Sequence, residues 1–195
     1  LPPETDTYPT PVITASSSVN EHQALLMNDQ NNTTFWQSKT NSEQSVIIDC
    51  KVRREFGGLQ INWLAEHYAT QFDISLSNDG KNWEKLYSVP VNSANISFIR
   101  LAEAEANFIK LNFAANKNNK AVGISEIILL GIKQSLSPND FLIYAAKNSP
   151  EGDYPRSFLE QASYWTISGV NNDVKEAMIN EDGMVEVDKA KFSIE

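Results

Sequence analysis

From residue 45 to residue 131 the chain alternates short apolar runs with small polar turns, a spacing that predicts strands. The clearest case is "QFDISLS" (71–77): Phe72, Ile74 and Leu76 fall on one face, and Asp73, Ser75 and Ser77 on the other. That period of two marks a half-buried strand. "NDGKNW" (78–83) then reads as a hairpin turn, with Gly80 free to take a positive φ, and "EKLYSV" runs back. "SVIIDC" (45–50) is a nearly continuous apolar run, the pattern of a strand buried on both faces. "LQINW" (59–63) follows a break at Gly57-Gly58, and "ISFIRL" (96–101), "NFIKLNF" (107–113) and "ISEIILLG" (124–131) complete the set. About eight strands at this spacing predict an all-β fold, a jelly-roll or other β-sandwich.

Beyond Gly131 the pattern changes. "KQSLSPND" reads as a linker, "NNDVKEAMIN" as a short helix, and "MVEVDKAKFSIE" as a final alternating run. The expected division is a proline-rich arm over 1–9, a sandwich over 10–132, and a C-terminal partial β-rich extension over 133–195. The arm, "LPPETDTYPTP", gives the chain the look of a mature or excised fragment.

Charge narrows the partners. A formal net charge of −9 does not suit nucleic acid, whose phosphates require clustered Lys and Arg. No apolar run reaches 18 residues, so no membrane-inserted helix is expected. A lone cysteine, Cys50, leaves no internal disulfide framework and reads as a buried thiol.

Three quoted stretches carry a family resemblance. "LQINWLAEHYATQFDISLSNDGKNW" resembles the middle of a discoidin domain, the coagulation factor V/VIII type C domain. "ITASSS" followed by "TTFWQS" resembles the family's opening motifs, and "GISEIILLG" its closing strand. Bacterial members are mostly carbohydrate-binding module family 32, attached to secreted or cell-surface glycan-degrading enzymes. The resemblance spans roughly residues 10–132 and implies a discoidin-like jelly roll. The tail from "SPEGDYPRSF" onward resembles, more loosely, a bacterial glycosidase-associated β-rich domain that precedes a catalytic barrel.

The resemblance implies a structural calcium ion held by Asp29 and Glu126 carboxylates, the Asn31 carbonyl and Thr34. Calcium takes six to eight oxygens of these kinds, and the spacing from Asp29 to Thr34 allows a loop to wrap an ion. Gln30 stands where the family usually has Gly, so it must adopt the backbone shape that Gly supplies. The resemblance also places ligand among loops at one end of the sandwich. There "LAEHYAT" offers Glu66, His67 and Tyr68, "ANKNNKAV" offers Asn118 and Lys120, and His22 lies near the first loop. Sugar recognition needs an aromatic face and a few polar groups for the hydroxyls. Trp36 and Trp83 are expected in the core, and Trp63 in the core or at its rim.

Catalysis by this chain is not expected. It has two histidines, too few for a three-His metal site, and no nucleophile or phosphate-loop motif. The expected function is a non-catalytic carbohydrate-binding module, secreted, periplasmic or at the cell surface. Its partners would be glycan or polysaccharide and a C-terminal catalytic domain of the same protein. The alternative is a discoidin domain for protein contact or packing against its own neighbour.

Overall fold

The computed structural model describes residues 8–20 and 22–149, together with the backbone of 165–168, 177–179, 184–187 and 190–193. Seven strands lie within the first region: β1 (Val12–Ala15), β2 (Trp36–Gln37), β3 (Gln44–Trp63), β4 (Phe72–Ser77), β5 (Glu84–Val89), β6 (Ile96–Phe113) and β7 (Gly123–Leu130). The hydrogen-bonded order is β2-β7-β3-β6-β4-β5, with β1 beside β3.

Two long strands build both layers. The first half of β3 pairs with β1 and with residues 106–113 of β6, of which 108–113 in turn pair with β4. The second half of β3 pairs with β7 and with residues 96–100 of β6. The change of partner falls where the β3–β6 register shifts, between Asp49 and Arg54 and again between Phe56 and Gly58. Such bulges bend a strand sharply. Lys51, at the bend, takes a φ of 64°.

These long strands correct three expectations. Residues 45–50 are not buried on both sides: Val46, Ile48 and Cys50 are buried, while Ser45, Ile47 and Asp49 are half-exposed. Ile47 is simply an apolar residue on the outer face. The glycine pair does not end a strand either, because β3 runs through it. Gly57 is needed there for close approach: a Cβ would sit 2.6 Å from Gly131 O and 2.7 Å from Ser135 Cβ. Residues 96–101 and 107–113 likewise belong to one strand.

The core between the layers gathers Trp36, Val46, Ile48, Cys50, Leu59, Ile61, Trp63, Phe72, Ile74, Leu111 and Phe113. Trp63, Phe72 and Phe113 meet edge to face with ring centroids 5.5–6.1 Å apart, a preferred aromatic geometry. Burial pushes the Cys50 thiol up from its ordinary pKa, as expected for an inert packed thiol. Trp83 departs from expectation. It is only half-buried and lies outside this core, with the Lys110 ammonium 5.5 Å from its ring centroid.

The stretch read as a linker is helical. α1 (Ile132–Leu136) and α2 (Pro138–Lys147) follow β7 directly. Ser137 accepts from the Asp140 N–H at 3.1 Å as the cap of α2, and Pro138 opens its first turn. This Ser-Pro start is a recognised helix signal. α2 buries Phe141 and Ala145 against Phe98 and Leu130 on the outer face of the second layer. Tyr144 OH donates to Gln60 Oε1 at 2.7 Å, and Arg100 donates to the Gln134 and Ser135 carbonyls.

Further along, β8 (Trp165–Ser168) runs parallel to β6. A separate sheet contains β9 (Ala177–Ile179), β10 (Met184–Val187) and β11 (Ala190–Ser193) in antiparallel order. The alternating run thus forms a hairpin. Ala177–Ile179 is strand, not the helix expected over 171–180, because it pairs with Val185–Val187; the rest of that expected helix lies outside the described residues.

Candidate functional site

The bends of β3 and β6 bring both ends of each strand to one end of the sandwich. The loops that join there are tied by backbone bonds. Asn116 N–H donates to Asn41 O (2.7 Å), Asn92 N–H to Thr70 O (2.9 Å), and Ser38 N–H to Val122 O (2.9 Å). The buried Asn116 side chain braces the two loops expected to converge: it accepts from Thr70 N–H and donates to the Tyr68 and Lys120 carbonyls, all within 3.0 Å.

The expected binding residues divide by what they touch. Lys120 Nζ lies 3.4 Å from Glu66 Oε2, and Asn118 Nδ2 is 3.3 Å from the Glu66 carbonyl. Glu66 itself holds a φ of 64° and Asn119 one of 60°, an uncommon shape for side-chain-bearing residues. His67 Nδ1 lies 2.8 Å from Ala121 O and 3.1 Å from the Gln37 side-chain amide. The carbonyl can only accept, so Nδ1 carries the proton and Nε2 is left as an acceptor. The Gln37 amide fits with its oxygen toward the ring, since its two ends exchange by a half-turn. Glu66, His67, Asn118 and Lys120 therefore form one cluster. Tyr68 stands apart from it: the side chain is half-buried and packs on the core.

His22 joins this end through the first loop. Its ring stacks on Phe35 with centroids 4.0 Å apart, and its carbonyl is 3.4 Å from Gln37 N. Phe35 and Gln37 are two residues that the sequence reading did not single out. Alternation around the buried Trp36 was the available signal, since it turns both neighbours away from the core. Trp36 is fully buried, donates from Nε1 to Ser17 O at 2.9 Å, and meets Phe113 with ring centroids 6.3 Å apart.

The second candidate constellation lies beside β7. Asp29 Oδ1 accepts the Asn31 N–H at 2.9 Å. Thr34 Oγ1 lies 2.7 Å from Asp29 Oδ2 and 2.8 Å from Asn31 O, and its single proton serves one of them. Gln30 takes a φ of 62°, so it does adopt a left-handed shape, one that costs glycine little. Asn62 Nδ2 donates to Asn32 Oδ1 at 2.8 Å and ties the loop to β3.

Glu126 comes to this loop from β7. Its side chain is 6% exposed and its Oε2 has no hydrogen-bond partner. Burial, reinforced by the nearby Asp29 charge, pushes its carboxyl up to about 7, against the pull of the Gln30 and Asn31 N–H groups. A buried carboxyl oxygen without a partner is costly and calls for an explanation. Among the described residues no three His, Cys, Asp or Glu side chains gather as a metal site. An ion here would therefore rest on two carboxylates plus the Asn31 carbonyl and Thr34 oxygen, a donor set that fits a hard cation.

Comparison with known proteins agrees with this architecture. A search of curated proteins finds no match. Chitosan-binding module 1 from a Paenibacillus sp. IK-5 chitosanase/glucanase superposes with a TM-score of 0.59 at 22% identity, covering 64% of this chain and 97% of that one. The Clostridium perfringens module CpGH89CBM32-5, solved with GalNAc-β-1,3-galactose, gives 0.57 at 17% identity over 63% and 96%. The CBM32 of AlyQ, solved with 4,5-unsaturated mannuronic acid, gives 0.56 at 21% over 63% and 96%. At these identities the likeness establishes the β-sandwich fold. The family model for the F5/8 type C domain matches residues 12–127, more than half of the chain, and the chain belongs to that family.

Proposed function

We propose that this chain is a non-catalytic carbohydrate-binding module of a secreted or cell-surface glycan-degrading protein. The observation that carries this reading is the cluster of His67, Asn118 and Lys120 at the loop end, with Glu66 paired to Lys120 and Gln37 against His67. It sets donors and acceptors for hydroxyls beside the stacked His22–Phe35 pair, an apolar surface for a sugar ring. Solved modules of the same fold in complex with chitotriose, with GalNAc-β-1,3-galactose and with 4,5-unsaturated mannuronic acid support it further.

Asp29, Asn31, Thr34 and Glu126 would hold a calcium ion. Bound there, the ion would neutralise two carboxylates and join the first loop to β7. Its part is structural, and the sugar contacts belong to the loop end. A single module of this kind binds weakly, so linkage to a catalytic domain would supply its effective concentration.

The test is a glycan array probed with the whole chain in calcium-containing buffer, repeated with His67→Ala. Hits sharing a sugar, lost in the variant at unchanged melting temperature, are expected. A blank array from folded protein would refute the reading. It would favour the alternative of packing within its own polypeptide, for which the docking of α2 on Phe98 and Leu130 is the supporting observation.

A further inference from the structure

The ligand class follows from charge, given the sugar-binding reading. The chain carries −9 overall, yet among the described residues of its loop end lysines outnumber unpaired carboxylates. Lys39, Lys117 and Lys120 are exposed there, against the carboxylates of Glu43 and Glu66. Asp73, at the start of β4, is taken up by Lys85 at 2.9 Å and by Ser88.

Most other described cations already have partners. Lys51 pairs with Asp49, Arg53 with Glu105 and Lys133 with Asp140. Arg54 and Lys110 lie over the Tyr8 and Trp83 rings, and Arg100 holds backbone carbonyls. Lys39 and Lys117 make neither an ion pair nor a ring contact with any described residue. Their backbones are nonetheless fixed at the loop end: Lys39 N–H donates to Ser17 Oγ (3.1 Å) and Lys117 N–H to Thr70 Oγ1 (3.2 Å).

Lys120 is held by its backbone and free at its tip. Its N–H donates to Asn118 Oδ1 (3.0 Å) and its carbonyl accepts from Asn116. Its one ion pair, to Glu66, is long at 3.4 Å, with side chains 47% and 80% exposed. An exposed pair of that geometry is readily exchanged for another anion.

We propose that the loop end binds an acidic glycan whose sugar rings carry carboxylates. Lys120 exchanges Glu66 for a ligand carboxylate, and Lys117 and Lys39 draw the next charged residues of the chain. His67 Nε2, Asn118 and Gln37 take ring hydroxyls.

The whole chain is titrated calorimetrically with oligogalacturonate and oligomannuronate, with their methyl-esterified forms, with a sulfated oligosaccharide, and with neutral oligosaccharides. The expected result is binding of at least one uronate oligomer, weakened by salt and by esterification. Lys120→Gln should weaken it about tenfold, the worth of one charged hydrogen bond. Glu66→Gln, which removes the carboxylate that Lys120 must leave, should tighten it. Neutral or esterified sugars binding as well as uronates would overturn the acidic assignment while the sugar-binding reading stands. Binding of the sulfated ligand alone would overturn the carboxylate. Weakening by Glu66→Gln would make Glu66 a sugar ligand, and the exchange would fail. If no sugar binds folded protein, both readings fall.

Discussion

Glu126 sets the sharpest test of the ion loop, because its environment without metal is unfavourable. In metal-free protein the carboxyl is pushed from 4.5 up to about 7. At 1.36 kcal/mol per pK unit that corresponds to a ceiling of about 3 kcal/mol. The sign follows from linkage. Below pH 4.5 the group is protonated folded and unfolded, and no penalty exists. Between 4.5 and about 7 the unfolded chain releases the proton and the folded chain keeps it, so stability falls as pH rises. Above about 7 the full penalty remains.

Glu126→Gln removes the charge and keeps one acceptor for the Gln30 and Asn31 N–H groups. In chelator at pH 8 the variant should therefore be more stable than the wild type, by up to about 3 kcal/mol. In a domain of this size that is about 6–12 °C in melting temperature. The advantage should vanish near pH 4. Saturating calcium should reverse the order, since an ion that binds the folded state alone stabilises it and the amide is a poorer ligand. Scanning calorimetry of both proteins, with calcium and with chelator, reads all four states. A variant less stable than wild type in chelator at pH 8 would refute the charge argument. Melting curves indifferent to calcium in the wild type would remove the ion.

Gln37→Ala should weaken glycan binding about tenfold or more and move the melting temperature little, because the side chain reaches His67 and not the core; titration and melting of the same sample check it. Phe141→Ala should cost about 3–5 kcal/mol in urea denaturation, because the ring is 1% exposed against Phe98 and Leu130. Asp79 has its carboxyl held far below the ordinary value, chiefly by the Asn82 and Lys81 N–H groups. The stability it contributes is fully present above about pH 3.8 and is lost as pH falls through the lower folded value. Asp79→Ala should flatten that acid limb in pH-dependent melting, and an unchanged limb would refute it.

The strand Phe72–Ser77 is legible as a strand, and its first half follows the alternation, with Phe72 and Ile74 buried and Asp73 half-exposed; beyond Ile74 the burial departs from it, since Ser75 and Ser77 are buried and Leu76 only partly so. What was hidden had a long-range cause. Nothing local in 45–63 reveals that one strand crosses from one sheet to the other, since the crossing depends on paired bulges against β6. Gly57-Gly58 looked like a break because glycine is ambiguous between a turn and a close approach. Trp83 was expected inside by its size, but its place after the turn leaves it on the outer face, where Lys110 covers it. α2 is legible in its Ser137-Pro138 start, but the same polar residues of "KQSLSPND" also fit a boundary, and only the packing of Phe141 and Ala145 on Phe98 and Leu130 decides between them. Of the site, the convergence of 64–70 with 115–122 was read from the resemblance. The role of Asn116 in holding it could not be read, because Thr70, Tyr68 and Lys120 meet Asn116 only after folding.

β2 shows why stability and recognition separate in this fold. Two residues are enough to make the strand, pairing Trp36 with Ile124 and Gln37 with Gly123. Alternation sends Trp36 inward to Phe113, the last residue of β6. The loop that carries Asn118 and Lys120 starts at the next residue. Gln37 points outward to His67, whose Nδ1 holds Ala121 of that same loop. The loop is thus anchored twice, once through the core and once through a surface network. The core anchor sets where the loop stands, and the surface network sets what it offers to a ligand. A run of small polar residues accommodates a tryptophan because the side chain belongs to the core and its neighbours belong to the site.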